Sequence, residues 1–553
     1  MLLWLKHYRP ELLAGDVSAG VIVALMLLPQ GMAYAMLAGL PPVNGLYASI
    51  LPAIAYALFG SSMVQSVGPM AITSLMTGTA LAALAPPGSA LSVVLAGQMA
   101  LIAGVVLFLC GMLRLGFLAG FLSRPVMSGF ITGASLLITG GQIEPLLGGP
   151  LAAIHLPSAI VGLSSLLALW LAQRYLVRGL GALGLPRSVA DMVSRLAPVV
   201  VLVVATAAVG VLDLTRLGVQ VVGEIPSGMP AIQLMLSADH WRSLLVPALL
   251  VAFMIFLSSQ SAAQSLALKR GERILTNHEL LGLGAANLAS AVSGGFAVTG
   301  SISRSAVNYS AGANTPLASV ISAGLILVVL WVPTTWVSLL PLPALAATII
   351  LPVLGMIDLT TLRDAWRYDR SDAGALLATS TGVVLLGVEE GVILGVVLSL
   401  ATLIWRSSRP HIAVIGRIPG SEHFRNVERH QVDTLPEVLM LRIDADLYFG
   451  NVGVVFDHLE SLLKARAAEG LRTRHVVLVM SAVSLIDTTG LYALIEINRS
   501  LQAQRIKLHL SEVKGPVMDR LQQSDLLGQL GGQVFLSTAQ AFRRLGEGPA
   551  QTP

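Results

Sequence analysis

Residues 294–316 read GGFAVTGSISRSAVNYSAGANTP. The run is rich in Gly, Ser, Thr and Asn, yet it lies within apolar sequence of membrane-crossing length. It also carries one cation, Arg304. Lipid offers no partner for a free N–H or C=O, so broken helix at this depth must be buried in protein or line a cavity. An arginine placed there is a functional-site candidate by default. The pattern predicts a short half-helix starting near Ser301, with its N-terminal N–H groups and Arg304 facing an anion.

Working outward, the chain of 553 residues is 55% hydrophobic and 12% charged, against about 25% charged in soluble domains. Its mean hydropathy is +0.78. From Val17 to Leu113 there is no Asp, Glu, Lys or Arg, which requires several crossings of roughly 20 residues each. Spans are predicted at 17–37, 45–60, 68–83, 91–113, 117–141, 157–178, 197–212, 243–268, 278–296, 301–312, 317–340, 341–357, 373–387 and 390–406. Two of these fourteen are short and polar at their starts: VGPMAITSLMTG (Val67–Gly78) and TGSISRSAVN (Thr299–Asn308). They are the third spans of two successive sets of seven. Interrupted segments at matching places in two halves point to an inverted-repeat transporter with a site near the midplane.

The net charge of +4 belongs to the membrane part. Residues 1–410 hold 19 Lys+Arg against 15 Asp+Glu, and residues 411–553 hold 15 of each. That excess is too small for a nucleic-acid surface. Placed on fourteen spans, sixteen Lys/Arg fall on loops of the side shared by both ends, and two, Arg216 and Arg242, on the other. The positive-inside rule then makes both termini cytoplasmic, in a cell (inner) membrane. Met1–Gly15 has no cleavable signal pattern and is expected to lie on the membrane surface, with Trp4, Lys6 and Arg9 at the headgroups. Cys110 stands alone, which excludes a disulfide framework. No metal, phosphate-loop or catalytic-triad spacing occurs, so neither enzyme activity nor a cofactor is expected.

After Pro410 the composition changes. VLMLRIDADLYF (Val438–Phe449), HVVLVMS (His475–Ser481) and IKLHLSEV (Ile506–Val513) read as strands. They alternate with helical runs at 456–470, 490–504 and from Pro516, the signature of a small α/β domain. The expected organisation is a membrane domain over 1–410 and a soluble cytoplasmic module over 411–553.

Two stretches carry a family resemblance: DVSAGVIVALMLLPQGMAYAMLAGLPPVNGLYASILPAIAYALFGSS (Asp16–Ser62) and the run from Gly294. Both resemble the sulfate permease family of anion transporters, and LIDTTGLYAL (Leu485–Leu494) resembles the STAS domain that follows its transport domain. The resemblance implies a seven-plus-seven inverted repeat of core and gate domains, a homodimer, and a small anion (sulfate, bicarbonate, chloride or a dicarboxylate) as substrate. Carried onto this sequence, it implicates Gln30, Tyr34, Met70, Ala71, Ser303 and Arg304 in substrate binding, beside Ser301 from the helix-start argument. Members often carry an acidic residue in the eighth span for proton or sodium coupling. Here that position is Ser258, and no Asp or Glu occurs between Trp241 and Arg270. Exchange or uniport therefore competes with symport, unless Ser258, Ser259 and Ser261 coordinate a co-ion. His278, in Asn277-His278-Glu279, reads as interfacial, and Glu389-Glu390 as a solvated outer turn. Thr489 sits where related soluble domains are phosphorylated; an ordinary helix cap at Asp487 is the plainer reading. A membrane-anchored sensor signalling through its C-terminal domain is the rival from another class.

Overall fold

The computed structural model describes the chain except residues 1–2, 7, 118–122, 185–189, 191–192, 195, 224–227, 229–236, 238, 332–337 and 548–553. Arg187 and Arg195 of the loop charges counted above lie outside the described residues, as do the side chains of Lys6, Lys269 and Glu389. Contacts divide the chain into two units, Met1–Ser399 and Leu400–Pro553.

Each of the fourteen expected segments overlaps a helix, and the parts of two of them at 118–122 and 332–337 lie outside the described residues. The first set is α1 (Leu13–Leu37), α2 (Leu51–Phe59), α3 (Ala71–Ala82), α4 (Ala90–Met112), α5 (Arg124–Gly141), α6 (Leu156–Leu171) and α7 (Ala197–Val211). The second set is α8 (Trp241–Arg270), α9 (Thr276–Val292), α10 (Ile302–Ser310), α11 (Leu317–Trp331), α12 (Leu342–Leu354), α13 (Arg370–Leu386) and α14 (Val388–Ser408). The expected continuous span at 45–60 is instead broken: Pro42–Tyr47 is a separate short helix, and α2 restarts with Pro52 in its first turn, where a missing N–H costs nothing. Between α12 and α13 an amphipathic helix, Leu359–Tyr368, escaped the hydropathy reading because it is too polar to span.

The seven-plus-seven repeat is visible in which helices touch. α4 packs on α9 as α11 packs on α2; α5 on α13 as α12 on α6; α1 on α11 as α8 on α4; α1 on α10 as α8 on α3. Every pair maps to its mate by exchanging the halves. Because seven is odd, equivalent helices run in opposite directions, and the short strands that precede α3 and α10, β1 (Val67–Gly68) and β2 (Thr299–Gly300), accordingly pair antiparallel, Val67 opposite Gly300. Small residues permit this density. A Cβ on Gly104 of α4 would stand 2.8 Å from Leu288 N of α9, and one on Gly284 of α9 would stand 2.6 Å from Phe108 N of α4. Without a hydrophobic drive between helices in lipid, such close backbone approach supplies the attraction.

Trp4 has a partner within the protein. Its indole N–H donates to Ala57 O at 2.8 Å, which pins the lead-in to α2. Glu390 is exposed, but the turn before it is a single residue, Gly387, at φ 118°.

The second unit contains a six-stranded sheet in the order β4-β3-β5-β6-β7-β8, with β3 (Ile412–Arg417), β4 (Phe424–Asn426), β5 (Val438–Ile443), β6 (His475–Val479), β7 (Lys507–Ser511) and β8 (Val534–Phe535). β5 to β8 are parallel; β3 runs antiparallel to both its neighbours. Alternation along β5 splits the core. Leu439, Leu441 and Ile443 join the cluster that includes Val455, Leu459, Leu494 and Leu501 of α15 (Val452–Ala468) and α16 (Thr488–Ala503). Val438 and Met440 join Ala541 and Phe542 of α17 (Thr538–Gly546).

Candidate functional site

The strands β1 and β2 deliver the starts of α3 and α10 to one place. Ser301 N donates to Ser66 O at 3.1 Å, and Ser66 N donates to Ser305 Oγ at 2.9 Å, so the crossing is bonded in both directions. Asn308 Nδ2 ties α10 to Val64 O at 2.9 Å. Asn287 of α9 grips Val298 by both backbone groups, at 2.9 and 3.0 Å, as a neighbouring strand would. A Cβ on Gly300 would stand 1.7 Å from Gln65 Nε2, so any side chain there would have to displace the Gln65 amide from its bond to Ser259.

The α10 start is capped by its own sequence. The Ser301 hydroxyl accepts from Arg304 N at 3.4 Å and lies 3.2 Å from the Ser303 hydroxyl. At α3 the cap residue is Met70, whose side chain makes no capping bond, while Ser74 N and the Thr73 and Ser74 hydroxyls all bond to Met70 O. The N–H groups of Ala71, Ile72 and Thr73 therefore start the helix without intrahelical partners.

Arg304 is 1% exposed, the largest fully buried side chain among the described residues. Its Nη1 donates to Pro69 O at 2.7 Å, one residue before the α3 cap. Nε and Nη2 have no hydrogen-bond partner. The arginine thus ties the two half-helix starts together and keeps one edge of its guanidinium free. A buried polar group without a partner is expensive, and a buried charge more so; an anion is what such an edge calls for.

Among the other residues singled out from sequence, Tyr34 is buried on α1, and Gln30 is half-buried one residue after Pro29, which lies inside that helix. Met70 is buried and accepts a weak bond from the Ser258 hydroxyl at 3.5 Å, which brings α8 to the site. Ser303 is exposed. The three serines of α8 do not converge. Ser259 is fully buried and bonds Gln65 Nε2, and Ser261 is exposed, because steps of one and two residues turn side chains away from Ser259 to different faces of a helix. Thr489 is exposed in the first turn of α16, and Asp487 caps that helix by accepting from Gly490 N at 2.7 Å.

Sequence reasoning missed two buried carboxylates. Glu279 of α9 is 0% exposed and accepts from Tyr56 OH (2.6 Å), Ser61 N (2.8 Å), Ser61 Oγ (2.7 Å) and Ser62 N (3.1 Å). Tyr56 OH also lies 2.9 Å from Gln65 Oε1, which extends the network to Ser259. Asp16 of α1 is likewise fully buried and accepts from Asn314 N, Thr315 N and the Thr315 hydroxyl, fixing the turn after α10. Their signal was an isolated acid at the edge of an apolar run.

The chain is similar to known proteins along most of its length. The sequence profile described as the sulfate permease family matches residues 13–379, and that of the STAS domain matches residues 429–541. The chain belongs to the sulfate permease family. It is similar to sulfate transporter 4.1, chloroplastic, of Arabidopsis thaliana, at 34% identity over 96% of this chain and 80% of that one. A probable sulfate transporter of Mycobacterium tuberculosis is 33% identical over 98% of this chain and 97% of its own. Among solved structures, the murine solute carrier 26 family member A9 anion transporter, in its inward-facing state, superposes with a TM-score of 0.87 over 98% of this chain and 93% of that chain, at 22% identity. This sulfate permease family member is a multi-pass membrane transporter, not an enzyme, with a C-terminal STAS domain.

Proposed function

We propose that this protein is a secondary transporter of small anions working by alternating access, with the anion held between the α3 and α10 starts. The observation that carries this is the free Nε–Nη2 edge of Arg304, fully buried and anchored from behind by Pro69 O. The N–H groups of Ala71 and Ile72 and the hydroxyls of Ser301 and Ser303 would complete the shell, with Tyr34, Gln30 and Met70 walling it from α1 and α3. Two opposed helix N-termini and one cation select by sign. The Nε–Nη2 edge adds a preference of shape: side-by-side donors match two oxygens of one anion. A sulfate, bicarbonate or carboxylate group therefore suits it better than a single halide ion. The names of the relatives, sulfate transporters of a plant and a bacterium, support the same class.

On energetics, Ser258 carries no titratable group, and the buried carboxylates Asp16 and Glu279 are committed to several hydrogen bonds each. Anion exchange without a proton or sodium co-ion is thereby favoured over symport. We further propose that residues 1–410 form the transport domain, that both termini and the STAS domain at 411–553 are cytoplasmic, and that the protein acts as a homodimer in the cell membrane. Uptake into liposomes over a panel of sulfate, bicarbonate, chloride and fumarate, repeated with Arg304→Ala, tests the reading. Oxyanion uptake that Arg304→Ala abolishes is expected; equal uptake by both proteins would overturn it.

A further inference from the structure

The end of α6 is built unlike the other spanning helices. Ala172–Leu176 makes a π-helical turn before the helix resumes at Val177–Ala182. Such turns are rare and concentrate at functional positions. Here it sets Arg174 against two aromatic rings at once: the guanidinium carbon is 5.8 Å from the Trp170 ring centre and 6.0 Å from that of Tyr175. The two rings meet edge-on, 6.3 Å apart.

The same helix shows what surrounds this cluster. Ile160, Leu163, Leu167 and Trp170 are exposed at helical spacing, an apolar stripe that acyl chains can cover. The stripe runs directly into exposed Arg174 and Arg178. Apolar residues, then Trp and Tyr, then arginine is the order in which a bilayer passes from tails to headgroups. The two arginines are four residues apart and repel one another, and no Asp or Glu occurs in the sequence from Pro145 to Ala190 to offset them. An external anion at that depth relieves the repulsion.

We propose that the end of α6 is a docking surface for one anionic phospholipid, its phosphate shared by Arg174 and Arg178, its glycerol region against Trp170 and Tyr175, and its tails along Leu163 and Leu167. A second copy of this chain fits the face less well. A two-fold contact here would bring a second pair of uncompensated arginines against the first. The surface lies where α6 packs on α12 and α7, so a bound lipid would brace those helices against the membrane.

The test uses the full-length protein in detergent, read by native mass spectrometry and by melting temperature. The probes are phosphatidylglycerol, phosphatidylcholine and soluble glycerol 3-phosphate. Phosphatidylglycerol alone should be retained and raise the melting temperature. Arg174→Gln with Arg178→Gln should lower its retention by roughly thirtyfold, from the usual contribution of two basic residues at a lipid surface. Arg174→Gln alone should show part of that loss should the double variant fold poorly. Retention unchanged in both variants would overturn the proposal. So would an equal effect of glycerol 3-phosphate, or a shift from dimer to monomer with lipid binding unaltered.

Discussion

At the scale of single residues, Arg304 performs two tasks with different parts of one side chain. Nη1 holds Pro69 O and so positions the start of α3; Nε and Nη2 stay available for a ligand. Lysine keeps the charge but cannot do both, because it offers a single point charge instead of a planar fork. Arg304→Lys should therefore lose about 1.5–3 kcal/mol of anion binding, a fall of roughly ten- to a hundredfold in apparent affinity, while leaving folding largely intact. Concentration dependence of anion flux in proteoliposomes checks this. Ser301 and Arg304 were legible because a capping serine and a cation within apolar sequence have local signatures. Glu279 and Asp16 were not, since their partners lie 218 and 298 residues away in sequence and only the fold brings them together. Ser258 was placed by resemblance, and its contact with Met70 could not have been read from spacing.

Among elements, the crossing of β1 and β2 sets the distance between the two half-helices. A side chain at Gly300 would have to displace the Gln65 amide, whose Nε2 sits where the Cβ would go and bonds Ser259. Gly300→Ala should open the crossing and destabilise the membrane domain by about 1–3 kcal/mol or more, seen as a lower melting temperature together with loss of anion binding. In the STAS domain, His509 on β7 accepts from Gln533 N at its Nδ1, so its Nε2 carries the proton and donates to His475 Nδ1, 3.0 Å away. Burial, then the neighbouring His475 and Lys507, push the His509 pKa down to about 4. With the folded value below the unfolded one of about 6.5, the unfolded chain binds more protons between pH 6.5 and 4. Stability is full above pH 6.5 and falls as pH drops through that window. Hydrogen exchange across β7 and β8 should accelerate there, and His509→Gln should flatten the dependence. The parallel strands of this domain were readable as apolar runs between helices, whereas β4 and β8 are only three and two residues long and pair by register, which leaves no periodic trace.

For the whole molecule, the fourteen helices and their pairing by halves follow from charge-free runs punctuated by Gly and Pro. What hydropathy could not supply was how α2 breaks and how Leu359–Tyr368 lies between two spans, because both depend on packing and amphipathicity instead of mean apolarity. With serine at the eighth-span position and the buried acids hydrogen-bonded, anion flux should require a counter-anion inside the vesicle. An imposed proton or sodium gradient should change it less than about twofold, against the tenfold that 1.4 kcal/mol of coupling would give. Gradient-driven accumulation without internal anion would assign the protein to the symporters. Anion recognition rests on the free edge of Arg304. Its most direct test is sulfate binding by isothermal calorimetry to the purified protein and to Arg304→Ala: wild type should bind and the variant should lose binding while keeping its helical content, whereas equal affinity in the two would contradict the central claim.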